Sequence, residues 1–212
     1  MKKNLVLVHG YLGGSSQWAK QVSLFSTYFN LITIDLPGFG LNYAMESPQT
    51  IRGYAEFVFN HLDKQGIEKF HLLGHSMGGM IVQEMAAIAP SKIEKLILYG
   101  TGPVGMLPNR FETIEESKRR ISKDGPIATG CRIAATWFMQ GDQAGQYHIC
   151  ARLAEKASHQ AALAGLDAMA SWSGEAYLTH IKLPTLVIWG DGDRTYQWPQ
   201  PEQLWRNITA AK

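Results

Sequence analysis

Apolar residues along this 212-residue chain follow two alternating periods. Five short, nearly unbroken runs (NLVLVHG, LITID, KFHLLG, KLILYG and TLVIWG) are rich in leucine and β-branched residues and lead into glycine-bearing turns, the pattern of buried strands. Between them, apolar positions recur three and four residues apart. Residues 50–65 put Ile51, Tyr54, Ala55, Val58 and Leu62 on one helical face, and residues 77–89 read as a helix stopped by Pro90. Ser15 and Ser16 are candidate N-caps for a helix through Trp18, Val22 and Phe25, and a last helix begins over 201–207. Near-continuous apolar strands alternating with helices predict an α/β fold: a mostly parallel, doubly wound sheet covered on both faces.

The rhythm breaks between Gly100 and Pro184, where helical patterns over 110–122, 127–139, 144–157 and 161–170 replace any strand. A structureless loop of that length is improbable. The segment therefore reads as a helical insertion over 101–183, carried by a single core made of 1–100 and 184–212. Met106, Leu107, Trp137, Phe138, Met139, Met169 and Trp172 mostly pack its interior, with some facing a pocket on the sheet.

Composition narrows the function by exclusion. At 45% hydrophobic, 18% charged and a net charge of +2, the chain lacks the basic face that nucleic acid requires, and Lys118, Arg119 and Arg120 read as a solvated helix face. Two cysteines, Cys131 and Cys150, are too few for a disulfide framework and fit reduced thiols. The start MKKNLVLVHG is too short in apolar residues for a signal peptide, and no run is long enough to cross a bilayer, so the expectation is a cytoplasmic protein acting on a small molecule. No His/Asp/Glu cluster has ligand spacing, and neither a metal nor a cofactor is expected.

Gly74-His75-Ser76-Met77-Gly78 sits between a predicted strand and a predicted helix, the setting in which G-x-S-x-G lifts a serine clear of a sheet. The bend is strained. Strand and helix backbones then approach so closely that Gly74 and Gly78 have no room for side chains, and Gly79 lets the helix pack. The helix N-terminus favours a developing oxyanion, with the Met77 amide as one donor. HGYLGGSSQW, after the first strand, supplies a second: Gly10 permits a tight turn that aims the Tyr11 amide at the same space. His9 reads as structural, its ring bonded to loop backbone.

With HGYLGGSSQW, DLPGFG, GHSMGG and PTLVIWGDGDR, the chain resembles the α/β-hydrolase fold family, in particular its carboxylesterase, enol-lactonase and meta-cleavage-product hydrolase branch. These motifs span most of the chain outside the insertion, which resembles that family's cap. The resemblance implies a Ser, Asp, His order and places the acid at Asp193, with Asp191 a turn residue. It also implies a histidine after one further strand, yet none of the seven histidines (9, 61, 71, 75, 148, 159, 180) follows Asp193. A C-terminus short of that strand is the preferred explanation, ahead of a cap histidine acting as base or a non-catalytic ligand-binding relative. The chain is thus expected to be a serine hydrolase of a small, mostly apolar ester, lactone or diketone, with little activity as it stands. TLVIWG is expected to be an unpaired sheet edge through which a homodimer could form. A nucleotide-binding oxidoreductase, with Asp35 reaching a ribose, is the remote alternative, because Gly10, Gly13 and Gly14 lack the G-x-G-x-x-G spacing.

Overall fold

The computed structural model describes residues 2–108 and 112–212. Each apolar run becomes a strand: β1 (Lys3–Val8), β2 (Phe29–Ile34), β3 (Phe70–His75), β4 (Ile93–Tyr99) and β5 (Thr185–Ile188). They form one parallel sheet in the order β2-β1-β3-β4-β5. The chain thus runs outward from β1 to β2, then returns past β1 and continues in the other direction. The C-terminal ends of β1 and β3 sit side by side, Val8 beside Gly74, where the order reverses. In an open parallel sheet that is the natural position for a site.

Alternation along β1 explains the layers. Val6 and Val8 face a large core shared with α2 (Ile51–Lys64) and α3 (Met77–Ile88), while Leu5 and Leu7 face Trp18 and, beyond it, α1 (Ala19–Phe25). Each fully buried aliphatic side chain of this kind stabilises the fold by about 1.5–3 kcal/mol. Thr50 caps α2 by accepting the Gly53 N–H, and α8 (Pro199–Asn207) adds Leu204 to the same large core.

The sequence expectations need three corrections here. Ser15 and Ser16 cap no helix: they lie in a 3₁₀ turn, Ser15–Trp18, ahead of α1, and neither helix start has a side-chain cap. The sheet is not covered on both faces throughout, because Tyr99, Leu186 and Ile188 are each at least 40% exposed at its β4–β5 end. Nor is the β5 edge unpaired. Ala210–Lys212 run parallel to it, with Thr185 N–H donating to Ala210 O, Lys212 N–H to Thr185 O and Val187 N–H to Lys212 O.

Between β4 and β5 lie α4 (Ile114–Asp124), α5 (Pro126–Ala135), α6 (Tyr147–Ala154) and α7 (His159–Ala170). The helix expected over 110–122 begins outside the described residues and is observed from Ile114. The ends of this segment meet in an antiparallel clasp: Val104 pairs with Ser173, Gly105 N–H donates to Trp172 O, and Gly174 N–H donates to Pro103 O. Trp172 also donates its Nε1–H to the buried Glu84 carboxylate of α3 at 3.1 Å, which ties the segment to the core.

Candidate active site

Ser76 lies between the end of β3 and the start of α3, with φ 54° and ψ −121°. A non-glycine residue at positive φ costs on the order of 1–3 kcal/mol and persists only where its surroundings enforce it. They do so at the Ser76 carbonyl, which accepts from Gly79 N (2.8 Å), Met80 N (3.3 Å) and Thr101 Oγ1 (2.8 Å). A Cβ at Gly74 would lie 2.2 Å from Gly78 O, and one at Gly78 would lie 2.4 Å from Val8 O. A Cβ at Gly79 would strike the Thr101 side chain at 2.4 Å. Thr101 carried no signal in the sequence, because its role depends on the end of a neighbouring strand.

The loop after β1 closes on this bend. Gly13 N–H donates to Gly10 O, and the turn's positive φ falls on Leu12, at 58°, rather than on Gly10. Gly10 is needed for proximity instead: a Cβ there would sit 3.0 Å from Ser76 Cβ and 3.1 Å from His75 O. Tyr11 is buried, its hydroxyl donates to Ala162 O of α7 at 2.8 Å, and its ring leaves no room for a side chain at Gly165. Met77 is fully buried as the first residue of α3, where N–H groups lack partners within the helix.

His9 uses both ring nitrogens on backbone. Leu36 N–H donates to Nε2 at 3.0 Å, so Nδ1 carries the proton and donates to Gly10 O at 2.8 Å. Burial pushes its pKa down to about 4. The Asp35 carboxylate accepts from Ser15 N and Ser15 Oγ, which ties the loop after β1 to the end of β2.

Asp193 lies in the turn after β5, half-buried, while Asp191 is exposed. Asp193 Oδ1 accepts the backbone N–H groups of Thr195 and Tyr196, both at 2.8 Å. The Tyr196 phenol in turn shares a hydrogen bond with Ser76 Oγ at 3.2 Å. Asp193 thus holds the main chain of Tyr196, whose side chain reaches Ser76, and no local pattern in the sequence marks Tyr196 as a site residue. His75 lines the same cavity between Trp18 and Tyr99, and burial, reinforced by His9, pushes its pKa down to about 4. His148, His159 and His180 are exposed and, among the described residues, lie away from the cavity lining.

That cavity encloses about 830 Å³ above the C-terminal ends of the strands. Ser76, Tyr11 and Asp193 line it below; Leu107, Trp137, Met139 and Ile149 line it from the β4–β5 segment. No cluster of metal-ligating side chains occurs among the described residues, nor is any helix long and apolar enough to cross a membrane.

A parallel sheet with a strained serine between strand and helix, under an apolar cavity, defines a recognisable class. The chain matches the family model for the alpha/beta hydrolase fold over residues 3–126, and it belongs to the α/β-hydrolase family. It is 35% identical over 101 residues to a pimeloyl-acyl-carrier protein methyl ester esterase of Pseudoalteromonas atlantica, a match covering 47% of this chain and 38% of that protein. The chain thus spans well under half the length of that relative. A 2-hydroxy-6-oxononadienedioate/2-hydroxy-6-oxononatrienedioate hydrolase of Paraburkholderia phymatum is 26% identical over 208 residues, 91% of this chain and 72% of its own. Among solved structures, the enol-lactonase from Burkholderia xenovorans LB400 superposes with a TM-score of 0.91 at 22% identity, over 100% of this chain and 82% of that one. At that identity the likeness speaks for the fold.

Proposed function

We propose that the protein is a serine hydrolase working through an acyl-enzyme, with Ser76 as nucleophile. The observation that carries this reading is the strained backbone of Ser76, held by three donors to its carbonyl and opening into the cavity. Ser76 Oγ attacks an acyl carbon, the Tyr11 and Met77 amides receive the oxyanion, and Asp193 is the acid of the site. Helices α4–α7, within 101–183, serve as a cap on a core of 1–100 and 184–212. The apolar lining suits a mostly apolar ester, lactone or cleavable diketone.

Among the described residues the side-chain partner of Ser76 Oγ is the Tyr196 hydroxyl. The test is hydrolysis of p-nitrophenyl acetate by the protein and by Ser76→Ala. Loss of the enzyme-dependent rate is expected; an undiminished rate refutes the assignment.

A further inference from the structure

The side chains around the cavity divide by exposure. Met80 of α3, Ile114 of α4, Ile133 of α5 and Met169 of α7 line it, yet all four are buried and belong to the large core that backs the sheet. Lys20 of α1 and Gln146, just ahead of α6, line it from solvent. The cavity is therefore closed and apolar where the β4–β5 segment meets α3, and open on the side of α1. Met80 follows Ser76 by about one helical turn and donates its N–H to the Ser76 carbonyl at 3.3 Å, so the closed end begins beside the serine. Its walls differ in stiffness. Two methionines adapt to a flexible chain, whereas two β-branched isoleucines, with few rotamers, form a stop that does not yield.

We propose that this closed end is an acyl-binding subsite, shaped for a straight, saturated acyl chain, and that Ile114 and Ile133 set the longest chain that fits. The inference rests on the serine reading above and narrows the substrate to esters of linear aliphatic acids. The direction follows from the chemistry of an acyl-enzyme. Between its two halves the leaving group must depart and water must arrive, while the acyl part stays bonded to serine. A blind apolar end cannot exchange its contents at that moment, so it suits the part that stays. The alcohol then points to the open side, where its size matters less. Each methylene moved from water into such an end is worth about fourfold in affinity.

The experiment measures the binding of methyl alkanoates, from methyl butanoate to methyl decanoate, to Ser76→Ala by isothermal titration calorimetry. The same background then carries Ile133→Val, Ile133→Phe or Ile121→Val. Ile121 is as buried in α4 as Ile133 is in α5 but is not among the residues lining the cavity, so Ile121→Val removes a methylene without lengthening the end. Affinity should rise about fourfold per methylene and then stop at a limiting length. Ile133→Val should bind the first chain beyond that limit about fourfold more tightly, and Ile133→Phe should bind the longest accepted chain at least about fourfold less tightly. Ile121→Val should leave the limit in place. With Ser76 present, release of p-nitrophenol from p-nitrophenyl alkanoates should show the same limit, moved the same way by Ile133→Val. Affinity that does not grow with chain length, or a limit indifferent to Ile133, overturns the subsite. Ser76-dependent release that ignores acyl length also overturns it and leaves the serine reading standing. A binding limit that moves with Ile133, without any Ser76-dependent release, overturns the serine reading and leaves an alkyl-binding site.

Discussion

Ser76 and Leu12 both hold positive φ, at 54° and 58°, in the bends that follow β3 and β1. The first was legible in the sequence, because glycines on both sides announce a bend in which only the central residue keeps a side chain. The second was not, since a leucine in that region breaks local preference and is held there by tertiary packing. Tyr196 was illegible for a related reason: its relation to Ser76 spans 120 positions and exists only once β5 lies beside β4. His9 yields a prediction at this scale. Its pKa falls from 6.5 to about 4 on folding, so the unfolded chain binds more protons between those values and stability must fall as pH drops through that window. Urea unfolding at pH 5 should give about 2 kcal/mol less stability than at pH 7.5 from this residue. His9→Gln, which can still give and accept one hydrogen bond each, should flatten that slope.

At the scale of elements, periodicity located every strand and most helices to within a few residues. Caps were less uniform. Thr50, Thr113 and Ser158 each accept the N–H three residues on, the expected N-cap geometry. Ser15 has the same local chemistry, but its hydroxyl goes to Asp35, a partner from the neighbouring strand's end that no local pattern reveals. Thr50→Ala should therefore lower stability by about 1 kcal/mol in thermal or urea unfolding, whereas the loss at Ser15→Ala should appear as a looser turn after β1. The β4–β5 segment was legible as helices, but its fastening was not: the contacts of Tyr11 with α7 and of Trp172 with Glu84 join residues 151 and 88 positions apart.

The molecule as a whole carries an uneven sheet. α1 shields the β1 end of one face, while Tyr99, Leu186 and Ile188 leave the other end of that face in water. The sequence reading expected an exposed edge; with Ala210–Lys212 lying along β5, the exposure is of a face. The dye 8-anilinonaphthalene-1-sulfonate should bind the native protein there, and Leu186→Lys with Ile188→Lys should reduce its fluorescence without lowering the melting temperature. Sedimentation velocity on the same pair of proteins checks whether copies associate through this surface.

The clasp between Val104 and Ser173 reaches further than its few hydrogen bonds suggest. It lets the chain leave the sheet and rejoin it at one fixed point, and closing a longer excursion costs only about 0.6 kcal/mol for each doubling of length. Lineages could therefore lengthen, trim or exchange everything above that point by insertion and deletion. The bend beneath would be inherited unaltered while its roof is rebuilt.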